Sequence, residues 1–525
     1  MYHEPKRSFP VLLLAVVLLT QWPVESHGFN VVDTTIAEIH AAFANASLNC
    51  TQLVQLHLNR VRAYDQAGPR LNSMIYVNPR LEAEARALDA LPPAQRRAMH
   101  CIPVVVKDNI NVAGMPTSAG CITLKDEMPN GDAFVVARLR AEGAIFMGKA
   151  NMAEFAMDGG NTNSSLGGQT LNPYALDRSP MGSSGGPGAA IAASFGVIGL
   201  GTDTQGSIAD PSNVESLVGL RSTQDLLPLD GVMPLYVYQD VVGPMCRSAE
   251  DLARVMEVID AGRTRLRVRT AYTRYLQADA LRGKRIGLLQ GSAPSWPAKL
   301  AADPEVQAAL QQLAANLRAL GAVVVPLPLQ YLEDTLYAMA NAQSAASCGQ
   351  VGQKNGFNVY FARETASDAP VRSLASLVQQ YAANPLHNPA VLATLEGSLQ
   401  AAYNCSIFDP GCELFAESRR IQARLNSRVL TDERLDMLAY ATMSQLSPLL
   451  HGAPSPAVDL IQSFLSSTAG QPSITLPVAY SRGGVPIGVT LLAEAYHEPQ
   501  LVQAVYAYQQ RFNVRRAPSS CPPLQ

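Results

Sequence analysis

The sequence lacks an excess of charge of either sign. Its 525 residues include 40 lysines and arginines and 43 aspartates and glutamates, for a formal net charge of −3. This balance argues against a basic protein that binds nucleic acid through its phosphates. The sequence also lacks the polar bias of a disordered chain, because 47 % of its residues are hydrophobic. Its length allows a large hydrophobic core, so we expect a globular protein.

Long apolar runs are absent after residue 19, as are internal repeats and low-complexity tracts. The one apolar run, 9–19, follows two basic residues and is too short to span a bilayer comfortably. Residues 24–26 then suit a signal peptidase. These features predict a signal peptide over residues 1–26 and a mature chain, 27–525, that is secreted or periplasmic and stays off the membrane. The alternatives are an uncleaved membrane anchor and a buried strand.

Zinc-binding cysteine pairs are absent too, because none of the eight cysteines forms a C-x-x-C pair. In an oxidising compartment we expect disulfides instead. Cys405 and Cys412 flank an Asp-Pro-Gly turn and predict a local bridge, whereas the other pairings stay open. For Cys121 and Cys246 the alternative is burial as small hydrophobic side chains. Four N-x-S/T sequons predict a glycoprotein if the host is eukaryotic, at Asn45, Asn49, Asn163 and Asn404.

Helical patterns alternate with short apolar runs along the chain, and this alternation predicts an α/β fold. The runs that we interpret as buried strands are 102–106, 144–148, 196–201, 285–289, 323–327, 473–477 and 485–492. Between residues 330 and 465 the sequence becomes helical in pattern and rich in alanine and glutamine. We interpret this segment as a helical insert in a single enzyme body.

The first candidate for chemistry is Lys107, which directly follows a run of three valines. A lysine there lies at the end of a buried strand and faces either an ion pair or a site. Withdrawal from water disfavours the ammonium form, lowers the pKa and lets the amine act as a base. A structural lysine in an ion pair is the alternative.

The second candidate is the glycine loop, which we define as residues 181–190. Its glycines let the backbone approach a ligand closely, and the helix that follows presents free N–H groups to an anion. The loop also matches G-x-S-x-G with Ser184 at its centre, which is typical of α/β-hydrolases. That esterase alternative needs a histidine downstream, and His387, His451 and His497 are available.

The third candidate is the segment 201–208, which follows an apolar strand and contains Ser207. A tight turn there places a hydroxyl beside several backbone N–H donors. Such donors form an oxyanion hole, in which each donor contributes about 3–4 kcal/mol in known cases. An ordinary turn from strand to helix is the alternative.

In this order and spacing, the three segments together resemble the amidase signature family of hydrolases with a Ser–Ser–Lys triad. The resemblance covers most of the mature chain and includes 112–117, 148–155, 240–245, 470–477 and 484–489. Residues 357–360 and 370–374 look like the branch that contains secreted peptide amidases. The resemblance implies a single amidase domain with a central mixed β-sheet, helices on both faces and a helical insert.

The resemblance also implies a role for each matching residue. Ser207 matches the nucleophile, Lys107 the base, and Ser183 the serine between them, which follows a cis peptide bond from Gly182. The oxyanion hole would consist of the backbone N–H groups of Thr204, Gln205, Gly206 and Ser207. Substrate contacts are expected at Met157, Gly182 and Asp203. The family needs no metal and no cofactor.

The implied reaction is cleavage of a carboxamide C–N bond, in a small-molecule or peptide amide, through a serine acyl-enzyme. Alternatives are an acyltransferase and a weakly active binding protein on the same fold, and the oligomeric state stays open. The insert would line the acyl pocket or simply pack against the body. The apolar residues that could do either are Leu332, Leu336, Met339, Phe357, Tyr360, Leu374 and Leu377.

Three positions depart from the family pattern. Gln205 replaces a glycine, which would introduce strain if the position needs a positive φ. Ala209 replaces an arginine, and if that arginine pairs in the family with the aspartate that matches Asp203, the ionic partner of Asp203 would be missing here. Ser222 replaces a proline.

Overall fold

The sheet at the centre of the fold is known from a computed structural model, which describes residues 28–260, 262, 270–290, 303–328, 346–401, 413–451 and 461–524. The predicted signal peptide, the Cys405–Cys412 bridge and the Asn404 sequon lie outside these residues. Three insert residues do so as well, Leu332, Leu336 and Met339. None of the helices within the described ranges combines the length and the apolar character needed to cross a membrane.

Eleven of the described strands form one mixed sheet, and two more form a small hairpin. The strands are β1 (Met74–Val77), β2 (Pro103–Lys107), β3 (Ile145–Ala150), β4 (Asn163–Ser164), β5 (Gly168–Gln169), β6 (Ile198–Asp203), β7 (Val218–Arg221), β8 (Val241–Cys246), β9 (Arg285–Gln290), β10 (Val323–Pro328), β11 (Met437–Ala441), β12 (Ser473–Tyr480) and β13 (Pro486–Leu492). Their order in the sheet is β1-β3-β2-β6-β8-β7-β12-β13-β11-β9-β10. Strands β3, β2 and β6 run parallel, as do β11, β9 and β10, and the other neighbours are antiparallel.

Helices cover both faces of this sheet. The described α-helices are α1 (Ile36–Ala44), α2 (Cys50–Arg60), α3 (Leu81–Asp89), α4 (Phe134–Ala141), α5 (Gly185–Ala192), α6 (Ala209–Val214), α7 (Ala249–Ile259), α8 (Pro304–Ala319), α9 (Ala346–Arg363), α10 (Leu374–Ala383), α11 (Pro389–Gln400), α12 (Glu413–Asp432), α13 (Ile461–Ala469) and α14 (Glu498–Phe512). Helices α5 and α6 touch each other and lie on one face, whereas α7, α14 and α8 form a row on the other face. Strands β2, β6 and β8 are therefore buried along their whole length, as their continuous apolar runs predict. The predicted α/β fold with a mixed sheet is confirmed.

The segment 330–465 is not helical throughout. Helices α9 to α12 match the prediction, but Met437–Ala441 forms β11 inside the central sheet, between β13 and β9. All five residues of β11 are buried, because a strand between two others in a covered sheet has no solvent-facing side. This short strand could not be recognised in the sequence, because the residues around it have a helical pattern.

The apolar residues of the insert that the structure describes pack against the body of the enzyme. Phe357, Leu374 and Leu377 are fully buried in a second hydrophobic cluster, and Phe357 contacts Phe155 edge to face at 5.5 Å between ring centroids. Tyr360 belongs to the same cluster. For these residues the structure shows the packing interpretation, and the pocket-lining one stays a prediction.

Five cysteines have described environments. A disulfide joins Cys50, the first residue of α2, to Cys101, which lies just before β2. Cys121, Cys246 and Cys521 are free and buried. The first two of these therefore behave as small hydrophobic side chains, which is the alternative given above.

Candidate active site

The Lys107 side chain lies at the end of β2, in contact with the glycine loop and with β6. Because β2 and β6 are parallel and in register from Val104 to Val106, their carboxyl ends meet at one edge of the sheet. Lys107 Nζ lies 2.7 Å from Ser183 Oγ, 2.9 Å from Ser184 Oγ and 2.8 Å from Thr202 Oγ1. The side chain has no solvent exposure.

Burial lowers the pKa of Lys107 to about 7, although the negative charges of Asp203 and Asp240 oppose this shift. Lys149, on the neighbouring strand β3, is also buried, but its Nζ forms an ion pair with Asp108 Oδ1 at 3.2 Å. Among the described residues no carboxylate contacts Lys107 in this way. The structural alternative, an ion-paired lysine, therefore describes Lys149, whereas Lys107 has hydroxyl and carbonyl partners only.

The glycine loop places the hydroxyls of Ser183 and Ser184 in contact with Lys107 Nζ. The Gly182–Ser183 peptide bond is cis, as the resemblance implies. A Cβ at Gly182 would overlap the carbonyl oxygens of Asp158 and Asn161, so only glycine fits there. The half-buried side chain of Met157 lies on the same segment as Asp158 and packs against the second hydrophobic cluster. Gly182 and Met157 thus lie in adjoining segments, and their predicted contact with substrate stays a prediction.

Ser184 has no free hydroxyl for the esterase alternative. Its Oγ is fully buried, donates to Thr202 O at 3.0 Å and accepts from Lys107. His387 lies against Tyr381 and Asn384 instead, and His451 and His497 are exposed. Within the described residues no histidine is hydrogen-bonded to Ser184. The α/β-hydrolase alternative is therefore not favoured.

The turn of residues 203–209 carries Ser207 and the predicted oxyanion hole. Asp203 organises it, because its carboxylate accepts from Gly206 N at 2.9 Å and from Ile208 N at 2.8 Å. The positive φ of the turn, +100°, falls on Gly206, and Gln205 is not among the residues with a positive φ. The strain expected if Gln205 needed a positive φ is therefore absent, because its φ is not positive.

Ser207 differs from Ser183 and Ser184 in its access to solvent. Residue 207 is 6 % exposed, whereas the other two serines have no exposure. No hydrogen bond to Ser207 Oγ is found within the described ranges. The turn thus presents a hydroxyl that is free to meet a ligand, at the edge of the sheet where Lys107 and Ser183 meet.

Asp203 does not lack an ionic partner. Arg221, at the end of β7, donates from Nη1 to Asp203 Oδ1 and to Asp203 O, both at 2.7 Å. The expectation drawn from Ala209 is therefore wrong, because the cation comes from another strand. The contacts of the Asp203 carboxylate support the turn, and its predicted contact with substrate stays a prediction. At the third departure, Ser222 Oγ donates to Val242 O at 3.3 Å within the sheet.

Asp240 supports the same turn from the side of β8. Its carboxylate accepts from Thr204 Oγ1 at 2.6 Å, from Leu235 N at 2.8 Å and from Tyr236 N at 3.0 Å. Burial raises the pKa of Asp240 to about 6. Asp240, Arg221 and Thr202 were not predicted as site residues. Asp240 opens one of the matching segments and Thr202 lies in the candidate segment 201–208, and these were the available signals.

The insert reaches the segment that follows Lys107. Tyr360 Oη on α9 donates to Asn111 Oδ1 at 2.6 Å. Asn109, two residues earlier, donates from Nδ2 to Thr202 Oγ1 at 3.2 Å. Among the described residues no three histidine, cysteine, aspartate or glutamate side chains lie close enough together to hold a metal ion.

Comparisons with known proteins give the same assignment. The Amidase family model matches residues 52–502. One subunit of the glutamyl-tRNA(Gln) amidotransferase of Nitratidesulfovibrio vulgaris is 32 % identical over 500 residues, which cover 89 % of this chain and 94 % of that protein. A peptide amidase in complex with the competitive inhibitor chymostatin has a TM-score of 0.82 and 34 % identity, over 93 % of this chain and 99 % of that chain. The native peptide amidase of Stenotrophomonas maltophilia has a TM-score of 0.81 and 33 % identity over the same shares.

These matches span the segments that carry Lys107, the glycine loop and the 203–209 turn. Because the family model covers most of the chain, the similarity concerns the whole fold and not one motif. The chain therefore belongs to the amidase signature family and is an enzyme that acts on amide C–N bonds.

Proposed function

We propose that this enzyme is an exported amidohydrolase that cleaves peptide amides through an acyl-enzyme on Ser207. One observation carries the proposal. The amine of Lys107 is buried, has no carboxylate partner among the described residues and lies 2.7 Å from Ser183 Oγ. A neutral amine in this position accepts the Ser183 proton, and Ser183 accepts the proton of Ser207. Ser207 Oγ then attacks the carbonyl carbon of the substrate.

The charge that develops on the carbonyl oxygen needs donors that are already oriented. The N–H groups of Thr204, Gln205 and Ser207 supply them in this mechanism, whereas the Gly206 N–H donates to Asp203 Oδ1 and, with the other contacts of Asp203 and Asp240, holds the turn in place. When the tetrahedral intermediate collapses, the relay returns the proton to the leaving nitrogen. Water, deprotonated by the same relay, then attacks the acyl carbon and releases the carboxylic acid and Ser207.

The substrate class follows from two lines of support. The chain is similar to a peptide amidase over 93 % of its length, and that protein binds chymostatin as a competitive inhibitor. Three side chains near the turn, Leu235, Tyr236 and Tyr238, are half-buried and suit a peptide side chain. A screen of peptide amides, simple primary amides, aryl amides and esters tests the proposal. Release of ammonia fastest from peptide amides supports it, and hydrolysis of esters alone contradicts it.

The pH dependence of the reaction is a first prediction. The base must be neutral, and the pKa of Lys107 is about 7. We therefore expect kcat/KM to rise about tenfold per pH unit below that value and to level off above it. The measurement is kcat/KM on one peptide amide from pH 5 to 9. A rate that is constant from pH 5 to 8 contradicts the assignment of Lys107 as the base.

Export is a second proposal, made on different grounds. The sequence predicts cleavage after residue 26, and the Cys50–Cys101 disulfide is typical of an oxidising compartment. We expect the protein from its native host to begin near residue 27 and to contain this bond. Intact-mass and N-terminal peptide measurements, with and without reductant, check both points. A full-length, reduced protein in the cytoplasm contradicts the proposal.

A further inference from the structure

Arg221 is the cation that faces the carboxylate of the 203–209 turn. Its Nη1 donates to both Asp203 O and Asp203 Oδ1, so the backbone and the side chain of one residue are held together. Arg221 is 1 % exposed and Asp203 is fully buried. A buried carboxylate without a cation is strongly unfavourable, so this pair fixes the orientation of the Asp203 side chain.

That orientation determines where the N–H groups of the turn point. Asp203 Oδ1 accepts from Gly206 N, and Oδ2 accepts from Ile208 N. These two residues flank Ser207 on both sides. A rotation of the Asp203 carboxylate would therefore displace both the Ser207 hydroxyl and the N–H groups beside it.

The same guanidinium also holds the neighbouring loop. Arg221 Nη2 donates to Gln239 O at 2.9 Å, next to Asp240, which accepts from Thr204 Oγ1. The planar side chain of Arg221 thus contacts both supports of the turn, which are Asp203 on one side and the loop beside Asp240 on the other. A lysine has a single nitrogen and cannot make both contacts at these positions.

Position 209 also lies next to Asp203. The backbone N of Ala209 lies 3.4 Å from Asp203 Oδ2, and the family pattern has an arginine there. We propose that Arg221 is a positioning residue for the 203–209 turn, which holds Asp203 from β7 in place of the arginine missing at position 209. The kinetic test rests on the proposed function, and the labelling test below does not need amide turnover.

The first experiment is Arg221→Met. We expect kcat to fall about 10²-fold, the loss typical of a misplacement of about 1 Å, with KM changed much less. We also expect the acid limb of the pH–rate profile to move up by about one unit, because the unscreened Asp203 charge favours the ammonium form of Lys107. The other charges near Lys107 are Asp240 and the Lys149–Asp108 pair, and these stay in place.

Two further variants separate positioning from simple loss of stability. Ala209→Arg in the Arg221→Met background returns a cation to Asp203, so we expect at least tenfold recovery of kcat and return of the acid limb. Arg221→Lys keeps the charge but loses the contact with Gln239 O. We therefore expect the acid limb to stay at its wild-type pH and kcat to fall about tenfold. Arg247→Met removes another buried arginine, which donates to Ile191 O near the end of α5, to Gly196 O in the segment that follows and to Thr34 O. We expect it to lower stability without moving the acid limb.

A serine-directed fluorophosphonate gives a readout that does not depend on the substrate. The pH profile of the Ser207 labelling rate should shift to higher pH in Arg221→Met and return to the wild-type profile when Ala209→Arg is added. The inference is overturned if a folded Arg221→Met or Arg221→Lys protein keeps the wild-type rate and pH profile, or if Ala209→Arg restores neither. Labelling that follows these expectations without hydrolysis of any amide contradicts the proposed function alone.

Discussion

Ser207→Ala is expected to lower kcat on a peptide amide by about 10⁴-fold or more, with little change in the affinity for substrate. The variant removes one oxygen and leaves the turn intact, because the Ser207 hydroxyl forms no hydrogen bond in the described part of the chain. Burst kinetics and intact mass after rapid quenching should show an acyl adduct in the wild type and none in the variant.

The control for this experiment is Ser184→Ala. Ser184 belongs to the G-x-S-x-G run, but its Oγ is buried between Lys107 and Thr202. We expect this variant to lose much less activity than Ser207→Ala and to keep the acyl adduct. The reverse order, with Ser207→Ala close to wild type, would show that the nucleophile has been assigned to the wrong serine.

Lys107→Met is expected to lower kcat by about 10³–10⁴-fold, because it removes the base and keeps the length of the side chain. Any remaining activity should lack the acid limb near pH 7 that the amine causes in the wild type. Lys125→Met, which changes an exposed lysine, is the matched control and should keep both the rate and the limb.

The same variant has a second consequence, for stability. In the wild type the pKa of Lys107 is about 7, below its usual value of 10.5. Between these two values the unfolded chain binds one more proton than the folded chain at this position. The free energy of unfolding of the wild type should therefore rise with pH, by about 1.4 kcal/mol per unit relative to Lys107→Met. Urea denaturation at pH 7, 8 and 9 measures the difference, and parallel curves would contradict a neutral, buried amine.

Much of the fold and of the site could be predicted from local pattern. The valines before Lys107 indicate a buried strand, and the dense glycines of 181–190 indicate a backbone that approaches other groups closely. These features depend on neighbours in sequence, so the sequence shows them directly. The order of the three segments then indicated the family.

What could not be predicted depends on contacts between distant residues. Arg221 and Asp203 are 18 positions apart, and only the antiparallel pairing of β6, β8 and β7 brings their ends together. The Cys50–Cys101 bond spans 51 positions and has no local signature. Phe357 resembles a pocket residue in sequence, because a buried side chain and a ligand-facing one have the same apolar character.

The hydrogen bond from Tyr360 to Asn111 connects the insert to the segment just beyond the proposed base, four residues from Lys107. Inserts of this kind are natural targets for swapping between relatives to change substrate preference. In this chain such a graft would leave the Asn111 amide without its phenol unless the recipient helix has a tyrosine at the matching turn. Chimeras that keep the Tyr360–Asn111 pair should therefore differ from the parent in substrate choice alone. Chimeras that break the pair would change substrate choice and would also disturb the segment next to Lys107.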